Sequence, residues 1–309
     1  MDKISIGVDV GGTTINVGIV GSDGRIIEKT TAKTIAERGT HAMIIQTIID
    51  NIKLLLDKSD YQLSDIQSIG LGFPGTVDSK KGMVIFAPNI FFEHIDVKSK
   101  IAETFQCPVY LGQDSRAAAW GEYRVGAGKN YKNMAAITIG TGIGCGLIMD
   151  GKIFHGAHNS AGEFGHLIID PEGPSCNCGQ KGCLETYCAG LAIVRAGKMI
   201  GDNLTVKDIY DLADSGNEMA LRITEKVVHY LGMGIVNLIN LTSLEMIAIS
   251  GGISNAPSHL LLDPLRDFVA VHAYSAVARK VIINLSVLGD NAPLIGAALL
   301  DETTEYKEN

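Results

Sequence analysis

Residues 8–14 read VDVGGTT, in which Gly11-Gly12 ends a short apolar run at residues 4–10 and precedes a second one at residues 15–20. Two short strands joined by a small glycine turn are typical of a β-hairpin. A strand followed by a glycine turn occurs twice more, at residues 140–146 (GTGIGCG) and 250–254 (SGGIS). The three turns therefore mark points where a sheet ends in an exposed glycine loop.

The segments around these turns alternate between strand and helix patterns. Buried strands are predicted at residues 68–73, 108–111, 135–140, 145–149, 245–250 and 281–285. Helices are predicted at residues 42–56, 115–125 and 217–241, with a closing helix from Pro293. We therefore predict an α/β protein.

The chain has 309 residues, of which 46% are hydrophobic and 19% charged, and a formal net charge of −8. This composition excludes a disordered chain, and the acidic balance argues against nucleic-acid binding, which needs a concentrated basic face. At about 150 residues per domain, the length predicts two domains. We place them at residues 1–114 and 115–292, with a boundary near 112–116 and a last helix, about 293–305, that crosses back to the first domain.

The sequence predicts neither a secretory signal at its first residues nor a membrane-spanning segment. The N-terminus lacks a basic region followed by an apolar run and a small-residue cleavage site. The most apolar long segment, residues 230–244, is broken by two glycines and two asparagines. Four of the six cysteines lie within residues 176–188, which is typical of a metal site in a reducing compartment. We therefore expect a cytoplasmic protein without a membrane partner.

The glycine turns are candidate phosphate sites. Glycine lets a backbone approach a ligand and point N–H groups at an anion, and Thr and Ser hydroxyls add donors. Asp9 stands just before the first turn, where a carboxylate can hold Mg²⁺ beside phosphates. The alternative for each turn is a plain hairpin. Three such turns together favour a nucleotide held in a cleft between domains.

Asp114 follows the strand at 108–111 and precedes a helix. One interpretation is a helix cap, since Asp is favoured at that position. The other is a general base, because a carboxylate at the C-terminal end of a strand faces the ligand crevice of an open α/β sheet. In phosphoryl transfer, an Asp of this kind accepts the proton of the attacking hydroxyl.

The most specific feature is an irregular loop at residues 156–190, which contains AGEFGH (161–166) and CNCGQKGCLE (176–185). One histidine and three cysteines supply a tetrahedral Zn²⁺ set: His166, Cys176, Cys178 and Cys183. A closed set of four ligands makes the zinc structural. Buried free thiols and a redox pair are the alternatives. The other cysteines, Cys107, Cys145 and Cys188, are predicted on strands or a helix as small core residues.

Polar residues near the zinc loop are candidate sugar ligands. Glu163 and Glu185 flank the loop, and Asn89 follows Ala87-Pro88. The alternative for each carboxylate is an ordinary solvated surface position. His155 and His158 are interpreted as loop residues rather than ligands.

These motifs together resemble the ROK family of bacterial sugar kinases, within the superfamily of actin, hexokinase and heat-shock ATPases. The matching pieces are VDVGGTT (8–14), GFPGTVD (72–78), APN (87–89), TIGTGIGCG (138–146), AGEFGH (161–166), CNCGQKGCLE (176–185) and SGGIS (250–254). They cover almost the whole chain in order. The resemblance implies a two-domain, actin-like (ribonuclease H-like) α/β fold with a zinc-stapled loop, and a homodimer.

The resemblance also implies a role for each motif residue. Asp114 would be the base and Asp9 would position Mg²⁺. Residues implied to hold ATP are Gly11, Gly12, Thr13, Thr141, Gly142, Gly251 and Gly252. Residues implied to hold the sugar are Gly75, Asn89, Gln113, Asp114, Glu163, His166 and Glu185, with His166 also bound to zinc.

One departure from the family pattern concerns the residue before the base. Family kinases carry an Asn-Asp-Ala-Asn type run, whereas this chain reads QDSR at 113–116. The family Asn bonds a sugar hydroxyl, and Gln113 is longer by one methylene. The departure affects sugar preference more than it affects the carboxylate of Asp114.

The expected activity is ATP-dependent phosphorylation of a hexose hydroxyl, at O6, in the manner of a glucokinase of glycolysis. N-acetylmannosamine, N-acetylglucosamine, fructose and allose are alternative substrates. A sugar-responsive repressor is a second class, which we expect to need a helix-turn-helix ahead of the first glycine turn. A non-catalytic sugar-binding protein is the third.

Overall fold

The computed structural model describes residues 4–37, 39–274, 276 and 278–304. Contacts divide the chain into two compact units. Unit 1 takes the described residues of 1–130, 146–161 and 290–309, and unit 2 takes those of 131–145 and 162–289.

The described strands are β1 Ile4–Val10, β2 Thr14–Gly21, β3 Ile26–Lys33, β4 Ile66–Phe73, β5 Thr76–Asp78, β6 Met83–Ala87, β7 Phe92–Asp96, β8 Val109–Gln113, β9 Met134–Ile139, β10 Ile143–Met149, β11 Lys152–Ile153, β12 Met246–Ser250 and β13 Ile282–Leu285. The described α-helices are α1 His41–Lys58, α2 Lys98–Phe105, α3 Asp114–Val125, α4 Glu185–Cys188, α5 Gly190–Gly197, α6 Val206–Asp214, α7 Glu218–Thr242, α8 Leu262–His272 and α9 Ala292–Ala298.

The first glycine turn closes a β-hairpin, as its flanking runs predict. Strands β1 and β2 are antiparallel, with Asp9 opposite Asn16 and Val10 opposite Ile15. The backbone N–H of Gly11 donates to the carbonyl of Thr14 over 2.8 Å. The turn is short because only three residues separate the strands.

The first sheet has the order β3-β2-β1-β4-β8, in which β1, β4 and β8 run parallel. Its register pairs Asp9 with Gly72, and Gly72 with Gly112. Parallel strands end at the same edge of a sheet, so Asp9 and the start of α3 lie at one edge. This edge is the part of unit 1 that carries the predicted chemistry.

Helix α3 packs closely on α9, and this contact places α3 in unit 1. A Cβ atom on Gly296 would overlap the carbonyl oxygen of Ala117, and one on Gly121 would lie 2.9 Å from the carbonyl oxygen of Ala292. The predicted boundary at residues 112–116 thus differs from the division of contacts, which extends unit 1 to residue 130. The close helix approach is the physical reason. Helix α9 also contacts β1 and β4 and ends at Ala298 rather than near residue 305, which itself lies outside the described residues.

The second five-stranded sheet has the order β11-β10-β9-β12-β13, the same arrangement as in the first sheet. In unit 2, β9, β12 and β13 are parallel. The long helix α7 matches the predicted helix at 217–241, and the Asn217 side chain caps it by accepting from the N–H groups of Met219 and Ala220. Across the described residues, no helix is both long and apolar enough to cross a bilayer.

Candidate functional site

The Asp9 carboxylate is fixed by its partner across the hairpin. Asn16 Nδ2 donates to Asp9 Oδ2 over 3.1 Å, and Thr31 Oγ1 donates to Asn16 Oδ1 over 2.9 Å. Burial raises the pKa of Asp9, while the Asn16 hydrogen bond and the charge of Lys29 lower it. The carboxylate is thus oriented and partly shielded at the sheet edge, which suits a cation ligand.

The first glycine turn presents an open backbone. Thr34 anchors its base, because the Thr34 hydroxyl donates to the Gly11 carbonyl and the Thr34 N–H donates to the Thr13 carbonyl. Gly12 and Thr13 are exposed, and a Cβ atom on Gly12 would meet no atom within 4 Å. The space around Gly12 leaves room for a ligand.

Asp114 is the first residue of α3, directly after the C-terminal end of β8. The N-cap position belongs to Gln113, so Asp114 does not occupy the capping position that the alternative interpretation assigned to it. Asp114 Oδ1 accepts from the N–H and the hydroxyl of Ser115 over 2.6 and 3.1 Å. These bonds fix the carboxylate at the same edge as Asp9.

Gly75 and Asn89 lie beside the small sheet β5-β6-β7 of unit 1. Gly75 has φ of 83°, and a Cβ atom there would lie 2.9 Å from Cα of Ala87. Gly75 is therefore required by the close approach of β6. Asn89 is exposed in the turn Pro88–Ile90 that follows β6. The roles of Gly75 and Asn89 in sugar binding stay predictions.

A buried arginine next to Asp114 was not among the predicted site residues. Arg116 is 2% exposed, and its Nη2 donates to the carbonyl of Asn159 over 2.6 Å and to that of Ala161 over 3.3 Å. His155 is also buried, and its Nε2 lies 2.9 Å from the carbonyl oxygen of Thr304. Arg116 thus holds the segment of unit 1 that leads into AGEFGH, up to its first residue, Ala161.

In unit 2, the second and third glycine turns line one cavity of about 220 Å³. Gly140 and Thr141 border it on one side and Gly252 on another. Gly251 has φ of 89°, and a Cβ atom there would collide with the carbonyl of Ile139. Apolar residues complete the wall: Leu191, Ile193, Val194, Val206 and Ile253. Two turns predicted to hold nucleotide are thereby brought together within one unit.

The four predicted zinc ligands form one cluster in the described structure. Their ligand atoms lie within 4.8 Å of one another. Cys178 Sγ and Cys183 Sγ are 3.6 Å apart, and Cys176 Sγ is 3.7 Å from His166 Nδ1. Ligands about 2.3 Å from a tetrahedral zinc are about 3.8 Å apart, so the donor set fits the ion. A backbone hydrogen bond from Gln180 lowers the pKa of the Cys178 thiol, whereas burial and the hydrogen bonds to Cys178 and Cys176 raise the pKa of Cys183 to about 12. Binding of zinc would therefore displace a proton from Cys183.

The predicted sugar carboxylates of unit 2 differ in their surroundings. Glu163 is exposed just before the short helical turn Phe164–His166. Glu185 is half-buried at the first position of α4, and its Oε2 accepts from the backbone N–H of Ile143 over 2.8 Å. Glu185 thus contacts the second glycine turn, which sequence reasoning did not predict.

The cysteines outside the cluster differ in placement. Cys145 on β10 and Cys188 on α4 are buried, and burial raises the pKa of Cys145 to about 12 and raises that of Cys188. Cys107 is half-buried in the bend between α2 and β8, so its prediction on a strand or helix is wrong. The bend arises because Pro108 follows and disfavours a helical Cys107.

A larger cavity of unit 2, about 930 Å³, contains none of the predicted site residues. Its walls include Tyr187, Arg195, Met199, Met219, Arg222 and Tyr230.

Some contacts of the candidate site residues could have been predicted from the sequence, and others could not. The hairpin register alone places Asn16 opposite Asp9, so that contact was available from the turn length. The bonds from Ile143 to Glu185 and from Arg116 to Ala161 join residues 42 and 45 positions apart. No local pattern marks them.

Comparisons with known proteins agree with these motifs. The ROK family model matches residues 5–304. The chain is 36% identical to a glucokinase of Halalkalibacterium halodurans over 98% of this chain and 96% of that protein. A glucokinase of Streptomyces griseus, solved in complex with glucose and AMPPNP, is 33% identical with a TM-score of 0.81, over 96% of this chain and 98% of that one. The xylose repressor of Bacillus subtilis is 31% identical over 94% of this chain and 75% of that protein. The chain belongs to the ROK family.

Proposed function

We propose that this protein is an ATP-dependent sugar kinase of glucokinase type that phosphorylates O6 of a hexose. The observation that carries the proposal is the position of Asp114 at the end of β8, on the sheet edge that also holds Asp9. A carboxylate at such an edge is suited to take a proton from a bound hydroxyl. The similarity to glucokinases of two bacteria supports the substrate class.

In this proposal Asp114 accepts the proton of the sugar hydroxyl as that oxygen attacks the γ-phosphorus of ATP. The bond from the γ-phosphorus to the oxygen bridging it to the β-phosphate breaks, and ADP leaves. Ser115 holds Asp114 Oδ1 in place from its N–H and its hydroxyl. Asp9, oriented by Asn16, holds the Mg²⁺ that accompanies ATP, and the N–H groups of Gly12 and Thr13 face its phosphates. Mg²⁺ held by Asp9 would neutralise charge on the phosphates.

Unit 2 has its own candidate nucleotide site in the proposal. The cavity bordered by Gly140, Thr141 and Gly252 takes the nucleoside part of ATP. Gly142 and Gly251 shape the two turns that line it.

The zinc-stapled loop carries sugar ligands. In unit 2, Glu163, His166 and Glu185 hold sugar hydroxyls, and the sugar ligands proposed in unit 1 are Gly75, Asn89 and Gln113. His166 turns Nδ1 toward the cysteine cluster, so its Nε2 points away from the metal position and is suited to a hydroxyl. Zinc supplies no chemistry beyond holding this loop in shape.

The test is ADP release from Mg·ATP with glucose, mannose, fructose, allose, N-acetylmannosamine and N-acetylglucosamine. We expect one sugar to be preferred and Asp114→Asn to lose at least about a hundredfold in kcat, the usual scale for a general base. Asp57→Asn, an exposed position on α1, is the matched control. Turnover of Asp114→Asn near the wild-type value would reject Asp114 as the base, and no release with any sugar would reject the kinase.

A sugar-responsive repressor is the second candidate, favoured by the similarity to the xylose repressor of Bacillus subtilis. Its test is fluorescence anisotropy of labelled duplex DNA at physiological salt, with and without xylose. Sequence-specific binding that persists at this salt would favour the repressor, since non-specific binding weakens steeply with salt.

We also propose a homodimer that works in the cytoplasm. The family resemblance supports the dimer, and the grouping of Cys176, Cys178 and Cys183 as metal ligands rather than as a disulfide framework supports the compartment. Light scattering on the purified chain tests the dimer, because a monomer mass near 32.9 kDa would reject it.

A further inference from the structure

Glu185 touches the second glycine turn. Its Oε2 accepts from the N–H of Ile143, which directly follows Gly140-Thr141-Gly142, over 2.8 Å. The carboxylate also fills the space beside Gly142, since a Cβ atom there would collide with Glu185 Oε2. The side chain thus lies against Gly142 and bonds to the N–H of Ile143, the first residue after the turn.

A second bond fixes the other end of α4 to the same turn. The N–H of Gly190, two residues after the helix, donates to the carbonyl of Gly140 over 2.7 Å. The start of the turn is therefore held by Gly190 and its end by Glu185. Helix α4 begins at one of the two residues that make these bonds, Glu185, and ends two residues before the other, Gly190, and so connects both ends of the turn.

Helix α4 is also connected to the metal cluster, through the residues just before it. Cys183, a member of the metal cluster, lies two residues before Glu185. Between them, the Leu184 N–H donates to the carbonyl of Leu167, next to His166. The position of Glu185 is therefore set from the loop that carries the sugar ligands.

We propose that Glu185 is a positioning residue for the nucleotide turn, so that sugar and nucleotide bind cooperatively through its carboxylate. This inference rests on the proposed kinase function. Oε2 holds the Ile143 N–H and keeps residues 140–142 in the shape that takes ATP, while Oε1 accepts from a sugar hydroxyl. A bound sugar restricts the rotation of the carboxylate, so the turn loses less freedom when nucleotide binds.

Coupling of this kind is reciprocal: glucose tightens the nucleotide by the same factor as the nucleotide tightens glucose. Geometry, rather than charge, is the decisive property of Glu185 for the turn. A glutamine keeps an oxygen at the same reach, whereas an aspartate keeps the charge and loses the reach by one methylene.

The experiment is calorimetric titration of the full chain, loaded with zinc, with Mg·AMPPNP in the absence and presence of the sugar preferred in the ADP assay. In the wild type we expect the sugar to tighten AMPPNP by about fivefold or more. Without sugar, Glu185→Ala and Glu185→Asp should both bind AMPPNP about tenfold more weakly, which is the upper end of the scale for one lost ordinary hydrogen bond. Glu185→Gln should stay close to the wild type in that sugar-free titration.

Tyr187→Phe is the matched control. Tyr187 lies on the same helix, but its hydroxyl donates to Asp170 Oδ2 over 2.9 Å rather than to the turn. We expect its sugar-free AMPPNP affinity to equal that of the wild type. Zinc content is measured on every variant, so that the comparison uses only protein with an intact loop.

A residue that binds only sugar would leave the sugar-free affinity unchanged in all three Glu185 variants, and this result would overturn the inference alone. The inference would also be overturned if, without sugar, Glu185→Asp bound AMPPNP as tightly as the wild type and Glu185→Gln bound it as weakly as Glu185→Ala. The charge of Glu185, and not its reach, would then control the affinity for nucleotide. If the wild type does not bind Mg·AMPPNP, the proposed function fails as well. The two failures are therefore distinguishable.

Discussion

The side-chain amide of Asn16 donates to Oδ2 of Asp9 over 3.1 Å, directly across the β1–β2 hairpin. Burial is the largest influence on Asp9 and raises its pKa, and the Asn16 bond opposes that rise. Asn16 therefore helps to keep Asp9 ionised, as a ligand of Mg²⁺ must be.

Asn16→Ala should move the acid limb of kcat/KM for Mg·ATP to higher pH. Loss of the hydrogen bond raises the pKa of Asp9, so the carboxylate takes up its proton at a higher pH as the solution is acidified. The measurement is a pH profile of ADP release. Thr30→Val is the control, because its hydroxyl bonds Asn51 and not Asn16. An unchanged acid limb in Asn16→Ala would show that Asp9 does not control it.

The fold class and the zinc cluster were predictable because their signals are local. A three-residue turn between apolar runs sets the register that places Asp9 opposite Asn16. The four metal ligands lie within 18 residues and include a Cys-x-Cys spacing, so few arrangements of the loop can satisfy them.

What the sequence did not predict depends on contacts between distant residues. Helix α3 belongs with unit 1 because Gly121 and Gly296, on helices far apart in sequence, allow α3 and α9 to approach closely. Neither glycine has a local turn signature. The bond from Ile143 to Glu185 likewise forms only after β10 and α4 have packed, so a Glu beside a zinc ligand was predicted as a sugar ligand alone.

Removal of one zinc ligand should release the metal and loosen the loop at 156–190. Cys178→Ser leaves three ligands, and we expect it to lose zinc to a chelator that leaves the wild type with one zinc per chain. Zinc content by mass spectrometry and limited proteolysis of the loop measure the two effects. Cys107→Ser, outside the cluster, should retain its zinc. Equal zinc in both variants would contradict the four-ligand site.

Gly296→Ala should destabilise unit 1. The added methyl group would overlap the carbonyl oxygen of Ala117 on α3, and forced overpacking of this kind costs about 1–3 kcal/mol or more. Urea unfolding measures the loss. Gly201→Ala is the control, since its Cβ atom would have its nearest neighbour at 3.9 Å. If both variants unfold at the same urea concentration as the wild type, α3 and α9 do not approach each other closely at Gly296.

The buried imidazole of His155 should make the protein less stable in acid. Burial, and then the charge of Arg116, lower the pKa of His155, while its bond to Thr304 opposes them. The unfolded chain therefore takes up a proton near pH 6.5 (about the ordinary value) that the folded chain resists. The free energy of unfolding is accordingly highest above this pH and falls as the pH drops through it.

Urea unfolding at pH 5.5 and 7.5 measures this effect, at about one pH unit to either side of an ordinary histidine. As the pH falls from 7.5 to 5.5, the free energy of unfolding should decrease more for the wild type than for His155→Gln. His158→Gln, exposed on the same loop, should behave like the wild type. A His155→Gln variant with the full wild-type pH dependence would exclude His155 as its source.

Substitutions of Gln113 test whether this glutamine, which stands where family kinases carry Asn, sets the sugar preference. Its Oε1 is buried and has no hydrogen-bond partner among the described residues. A buried acceptor without a donor costs about 1–3 kcal/mol, which a sugar hydroxyl would recover on binding. Gln113→Leu removes the acceptor at similar size, so it should keep or raise the free energy of unfolding of the sugar-free protein and raise KM for the preferred sugar about tenfold.

Gln113→Asn should instead change the ratio of kcat/KM among the sugars, because the amide is withdrawn by one methylene. Urea unfolding and the same sugar panel measure both variants. A loss of stability in Gln113→Leu, with KM unchanged, would mean that the amide serves the fold and not the substrate. Higher stability together with weaker sugar binding in Gln113→Leu would support the interpretation that the buried acceptor bonds the sugar, because the substitution removes an unsatisfied polar group from the sugar-free protein and a hydrogen bond from the complex.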